Sequence, residues 1–181
     1  MLNTKPFYLL FAAVVFVISA FFPSVTHSVH AVAETELESF KLQSYIDKVC
    51  KKDCIDASLL LLAVTEAANE FNVNPLTLLA IILTESGFRP KAVNRTSGKS
   101  VGLSQIQVYW HRDKFTTVNH FDVFDNVRVG AMIYRDCVKK WKGSKDKALW
   151  CYNGHQKTGM KKYVPKVMKT YYELNSLSIR I

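Results

Sequence analysis

Apolar residues recur at helical spacing along most of the chain. Leu60, Val64, Ala67 and Phe71 form a stripe of period near 3.6, and Asp56 stands where it can cap the helix that carries them. Glu66 and Glu70 fall on the opposite, polar side and read as solvated charges. Asn72 breaks this helix. Asn74-Pro75 then opens the next one, with an N-cap followed by proline at the first helical position. On that helix Leu78, Ile81, Ile82 and Glu85 share one face, the face that seeks the core. Gly87 ends it, and Arg89-Pro90 prevents it from resuming.

The remaining pattern is also helical. A weak helix is predicted near Phe40 to Lys51, and Asn94, Thr96, Ser97 and Gly98 read as a polar loop. A short helix is expected from about Leu103 to Val108, followed by an aromatic stretch from Tyr109 to Phe124 that reads as loop with one irregular helical turn. Asp125 is expected to cap a long helix to about Trp141, with Val129, Met132, Ile133 and Val138 as its apolar side. Ser144 begins another helix that closes at Asn153-Gly154. The last runs from about Lys161 to Leu174, where Pro165 is tolerable only in the opening turn. No segment shows strand alternation, so the expected fold class is all-α, or α with minimal β.

The first thirty or so residues read differently. Lys5 precedes an uncharged run from Phe7 to Phe22, Pro23 breaks it, and Ala31-Val32-Ala33 supplies an A-x-A site before Glu34-Thr35-Glu36. A secretory signal over residues 1–33 is the expectation, with an uncleaved membrane anchor as the alternative. The run falls short of the ~20 residues that span a bilayer, which favours the signal. Residues 34–56 then form a helical lead-in and residues 57–175 the main domain. The exported part is long enough for one compact domain burying roughly 68–70% of its unfolded surface.

Export makes the four cysteines informative, because an even count in an oxidising compartment suggests disulfides. Cys137 lies late in one predicted helix and Cys151 on the next, so antiparallel packing would bring them together. Cys50 and Cys54 then pair by elimination, provided their helix has ended; four buried thiols are the alternative. No pair of histidines has ligand spacing near these cysteines, so neither metal nor cofactor is expected. The net charge of +9 is concentrated beyond residue 127: Arg128 to Ile181 holds thirteen Lys or Arg against three Asp or Glu. Nucleic acid is the reflex partner for such a surface, but an exported chain meets anionic cell-wall polymers, lipid head groups and peptidoglycan carboxylates instead. A solvated basic face is the plainer reading.

Glu85 is the residue that changes the picture. Burial against aliphatic carbon and the negative end of its own helix both disfavour the ionised form and raise the pKa. A carboxylic acid still partly protonated near neutral pH is what general-acid cleavage of a glycosidic bond requires. His111, His120 and His155 lack partners at ligand or triad spacing and read as surface or groove residues. For Trp110, Trp141 and Trp150 core packing ranks ahead of sugar stacking.

Glu85-Ser86-Gly87, Gly102-Leu103-Ser104-Gln105-Ile106, Tyr152-Asn153-Gly154 and Tyr163-Val164 occur in this order, and together they resemble the catalytic domain of the soluble lytic transglycosylases from about Ala57 to Tyr172. The resemblance implies a single lysozyme-like helical domain with a groove for peptidoglycan glycan strands. It implies that Glu85 is the sole catalytic acid and base. It also implies that Ser86, Gln105, Tyr152, Asn153 and Tyr163 meet the saccharide. Two positions depart from the family pattern: Ser104 stands for the usual methionine and Cys151 for a small alanine. The implied reaction cleaves the MurNAc–GlcNAc β-1,4 bond and leaves a 1,6-anhydro ring, in the periplasm or outside the cell. The rivals are a hydrolytic muramidase of goose-lysozyme type and a non-catalytic wall-binding component of a secretion or lysis apparatus.

Overall fold

In the computed structural model, which describes residues 23–94, 100–155 and 157–178, the chain divides after Phe40 into two units. The described part of the first is helical throughout. It belongs to α1 (Pro23–Val49), which starts well before the helix expected near Phe40 and carries Ala31-Val32-Ala33 in its middle. The uncharged run to Phe22 lies outside the described residues, as do Thr96, Ser97 and Gly98 of the expected polar loop. Among the described residues no helix is long and apolar enough to cross a membrane.

The second unit is built on α2 (Ala57–Phe71), α3 (Pro75–Ser86), α5 (Val123–Lys140), α6 (Lys145–Tyr152) and α7 (Gly159–Ser178), with the four-residue α4 (Val108–His111) between α3 and α5. Their ends follow from side chains that satisfy exposed backbone groups. Asp56 accepts from the Leu59 N–H at 2.9 Å, and Asn74 accepts from the Thr77 N–H at 2.8 Å with Pro75 behind it. Gly87 closes α3 at φ 64°, its N–H on the Leu83 carbonyl. α2 packs on α5 and α3 on α7, while α6 bridges α5 and α7. Leu60 and Val64 of α2, Leu78, Ile81 and Ile82 of α3, Val127 of α5, Leu149 of α6 and Val167 and Leu174 of α7 are all buried in one core. Phe88 joins them fully buried although its φ is 64°, a conformation that a bulky side chain adopts at a cost of roughly 1–2 kcal/mol. Burying the ring, about 1.5–3 kcal/mol, offsets it.

Three features of the second unit differ from the sequence expectation. The helix expected at Leu103 to Val108 is replaced by a turn and the last of three two-residue strands, β1 (Val93–Asn94), β2 (Ser100–Val101) and β3 (Ile106–Gln107), paired antiparallel in that order. Val93 faces Val101, and Val101 in turn faces Ile106. The buried Asn126 of α5 decides the turn: its Oδ1 accepts from the Ser104 N–H at 2.8 Å, and its Nδ2 donates to the carbonyls of Val101 and His120. Gly102, at φ 77°, lets Asn126 approach where a Cβ would overlap it. Second, the cap of α5 is Asp122, which accepts from the Asp125 N–H at 2.9 Å. Asp125 instead accepts from the N–H groups of Thr116 and Thr117, both at 2.8 Å. Burial alone would raise its pKa, but these bonds outweigh it and hold the carboxyl below its ordinary range. Third, α7 begins at Gly159, so Pro165 sits in its second turn rather than its first.

Both disulfides, Cys50–Cys54 and Cys137–Cys151, are formed. The all-helical expectation holds, with the small sheet as its minimal β component.

Candidate active site

Glu85 is the next-to-last residue of α3, the helix that packs on α7. Its carboxyl is partly buried, and removal from water pushes its pKa from 4.5 up to about 7. Two groups on α7 act in the opposite direction. The Tyr163 hydroxyl donates to Glu85 Oε1 at 2.7 Å, and the Lys166 ammonium, one turn further on, favours the ionised form while its Nζ reaches the Thr84 carbonyl at 3.4 Å. Burial outweighs both. Tyr163 itself is pushed well above its ordinary pKa, by burial and then by the charge of Glu85, so it remains a donor.

Beside this carboxyl runs a groove of about 650 Å³ whose lining includes Glu85, Gln105, Tyr152 and Asn153. These four residues come from three separate stretches of sequence. Gln105 follows the turn fixed by Asn126 and takes a left-handed backbone, φ 47°; its Nε2 donates to the carbonyls of Ala92 and Gly102, which sets the amide plane. The Tyr152 hydroxyl donates to the Ser104 carbonyl at 2.9 Å, tying the end of α6 to the same turn. Its pKa is raised by burial and by Glu85, so the phenol stays protonated. Asn153 caps α6 and packs close to Gly159 at the start of α7, where an added Cβ would come within 2.7 Å of its Oδ1.

The structure therefore brings together Glu85, Gln105, Tyr152, Asn153 and, through its hydrogen bond, Tyr163. It sets Ser86 apart: the side chain is buried, and its hydroxyl donates to the Ile82 carbonyl at 3.1 Å inside α3. Ser104 is fully buried against Gly130 of α5, where an added Cβ would come within 2.5 Å of its Oγ, so position 130 has room only for glycine beside this serine.

Sequence reasoning passed over part of the groove. Trp110, assigned to core packing, is 68% exposed on the groove wall, whereas Trp141 and Trp150 pack against each other and His155. Its place beyond two turns and a strand has no periodic signal. Asp136 also lines the groove, but it is exposed and paired with Arg135 at 2.9 Å. Glu66 and Glu70 lie on exposed positions of α2, with Glu70 paired to Arg128. Glu85 is thus the groove carboxyl whose proton is held near neutral pH.

A family model described as the Transglycosylase SLT domain matches residues 63–171, a span that takes in every motif above. The proteins of that family are lytic transglycosylases acting on peptidoglycan, and two disulfides in a wall-acting domain fit an exported protein. This chain belongs to the SLT transglycosylase family.

Proposed function

We propose that the chain cleaves the MurNAc–GlcNAc β-1,4 bond of peptidoglycan as a lyase, leaving a 1,6-anhydro-MurNAc end. The observation that carries this reading is the placement of the Glu85 carboxyl in the groove, withdrawn from water so that its pKa is pushed up to about 7, and oriented by the Tyr163 hydroxyl. As the bond from C1 to the glycosidic oxygen lengthens, Glu85 gives its proton to that oxygen and positive charge develops on the muramyl ring. The resulting carboxylate then takes the proton of the 6-hydroxyl, whose oxygen bonds to C1. The proton count closes on the same side chain, and no water is consumed. Attack from within the sugar has the advantage of a high effective concentration, so no water need be positioned. Gln105, Tyr152 and Asn153 hold the saccharide; Ser86 supports the last turn of α3.

We place the domain at residues 57–175, behind a lead-in at 34–56 and a signal at 1–33, with the basic half of the chain facing anionic wall polymer. The deciding experiment is digestion of purified sacculi followed by mass spectrometry of the fragments. Anhydro ends are expected; ends heavier by one water would mean a muramidase.

The same reading makes a pH prediction. Because the acid form of Glu85 starts the reaction, kcat/KM is expected to fall as pH rises through about 7. Lys166→Gln removes a charge that lowers the Glu85 pKa, so its descending limb should lie at higher pH than that of the parent. Tyr163→Phe should move the limb the same way, with a lower maximum because the carboxyl loses its anchor. A limb that moves down in Lys166→Gln means that another group is being titrated.

A further inference from the structure

The groove wall formed by α4 and the 3₁₀ turn Arg112–Lys114 carries side chains that the chemistry at Glu85 does not use. Trp110 faces the groove and is 68% exposed, with Tyr109 beside it 82% exposed. An indole this bare presents a broad apolar face, and covering it with the C–H face of a pyranose removes both surfaces from water. The ring is held in place. Tyr109 meets it edge to face, with centroids 4.7 Å apart and planes at 88°. The segment that carries it is anchored to α5, where Arg128 donates to the Lys114 carbonyl at 3.2 Å.

His111 lines the same wall. Its Nδ1 is buried and has no hydrogen-bond partner among the described residues, so any hydrogen bond the ring makes to a group in the groove falls to its other nitrogen. Burial, and then the charge of Lys114, hold its pKa below the ordinary value, so at neutral pH the ring has one donor and one acceptor nitrogen. That suits the hydroxyl and acetamido groups of an amino sugar.

We propose that Trp110 and His111 form an outer saccharide subsite, Trp110 stacking on a ring of the glycan distant from the scissile bond and His111 hydrogen-bonding its substituents. Trp110 is then a specificity-determining residue that makes the protein favour longer strands. This rests on the groove being a glycan site.

The test is calorimetric binding of peptide-free GlcNAc–MurNAc oligomers of increasing length to the full chain carrying Glu85→Gln, so that no substrate is cleaved. Affinity is expected to rise with length. Adding Trp110→Ala should weaken the long oligomers about tenfold, the equivalent of ~1.4 kcal/mol, and leave the shortest one that binds unaffected. Trp110→Phe should restore most of the loss, and His111→Ala should weaken the same lengths that Trp110→Ala does. A loss equal at every length, or none at the longest, overturns the outer subsite while leaving the groove as a glycan site. If the parent binds no oligomer of any length, the functional reading itself fails, and the subsite with it.

Discussion

Replacing Glu85 by glutamine is expected to abolish clearing of peptidoglycan, by about 10²–10⁴-fold in kcat, the range over which a positioned acid–base group acts. Binding to sacculi should persist, because the groove and the hydrogen bond from Tyr163 remain available to an amide oxygen of the same shape. That split separates an enzyme from a wall-binding module, since a module would show no clearing to lose. The same substitution should stabilise the protein, and the pH dependence of the gain identifies its origin. In the unfolded chain the carboxyl titrates near 4.5, and in the folded chain near 7. A group whose pKa is raised by folding supports the fold below the unfolded value, and that support is lost as pH rises through the folded one. At pH 8 the native protein therefore carries a poorly solvated carboxylate, which costs on the order of 2–3 kcal/mol after discount for residual solvent, the opposing effect of Lys166 being already contained in the shift. Glutamine cannot ionise. Thermal denaturation should show little difference between the two proteins at pH 4 and a variant melting several degrees higher at pH 8. Equal melting differences at both values would mean that Glu85 is solvated and is not the acid.

The legibility of this carboxyl in the sequence has a physical basis, and so does the illegibility of its neighbours. Asp56, Asn74-Pro75 and Gly87 act on backbone groups within three or four residues of themselves, so the helices they bound could be placed from local chemistry alone. Glu85 on an aliphatic face needed only the helical period. Asp122 and Asp125 defeat that method, because two aspartates three apart are equally good caps. The choice is made by Thr116 and Thr117, whose N–H groups occupy one of them from a different segment. The turn at Gly102–Gln105 is likewise set by Asn126, far away in sequence, which takes the backbone bonds that a helix would have used internally. Gln105, Tyr152, Asn153 and Tyr163 are legible only through a family pattern, since no period or spacing joins residues on three separate elements. Trp110 belongs to none of its motifs, and a tryptophan without a motif reads as core although this one is exposed.

Removing the Cys137–Cys151 disulfide as the double variant Cys137→Ala/Cys151→Ala is expected to cost about 3 kcal/mol, the chain-entropy value for a closed loop of this length, and to lower the melting temperature by roughly 6–12 °C. The bridge does more than close a loop. Both cysteines line the groove, and Cys151 immediately precedes Tyr152 and Asn153, so the bond fixes the end of α6 to α5 at the saccharide site. Without it Tyr152 still has the Ser104 carbonyl to donate to, but Asn153 depends on a short helix that lacks a side-chain N-cap. Activity should therefore fall several-fold at temperatures where the double variant is still folded by circular dichroism, with KM affected more than kcat because Glu85 on α3 is untouched. The other bridge offers the contrast. Cys50–Cys54 closes a much shorter loop, worth about 2 kcal/mol by the same model, and the Cys50 Sγ lies 3.2 Å from the carbonyl of Gly87, at the end of the helix that presents Glu85. Its removal should act on the acid, lowering kcat and moving the pH limb, while KM changes little. Indistinguishable kinetics for the two double variants would mean that the bridges stabilise the domain as a whole and position neither half of the site.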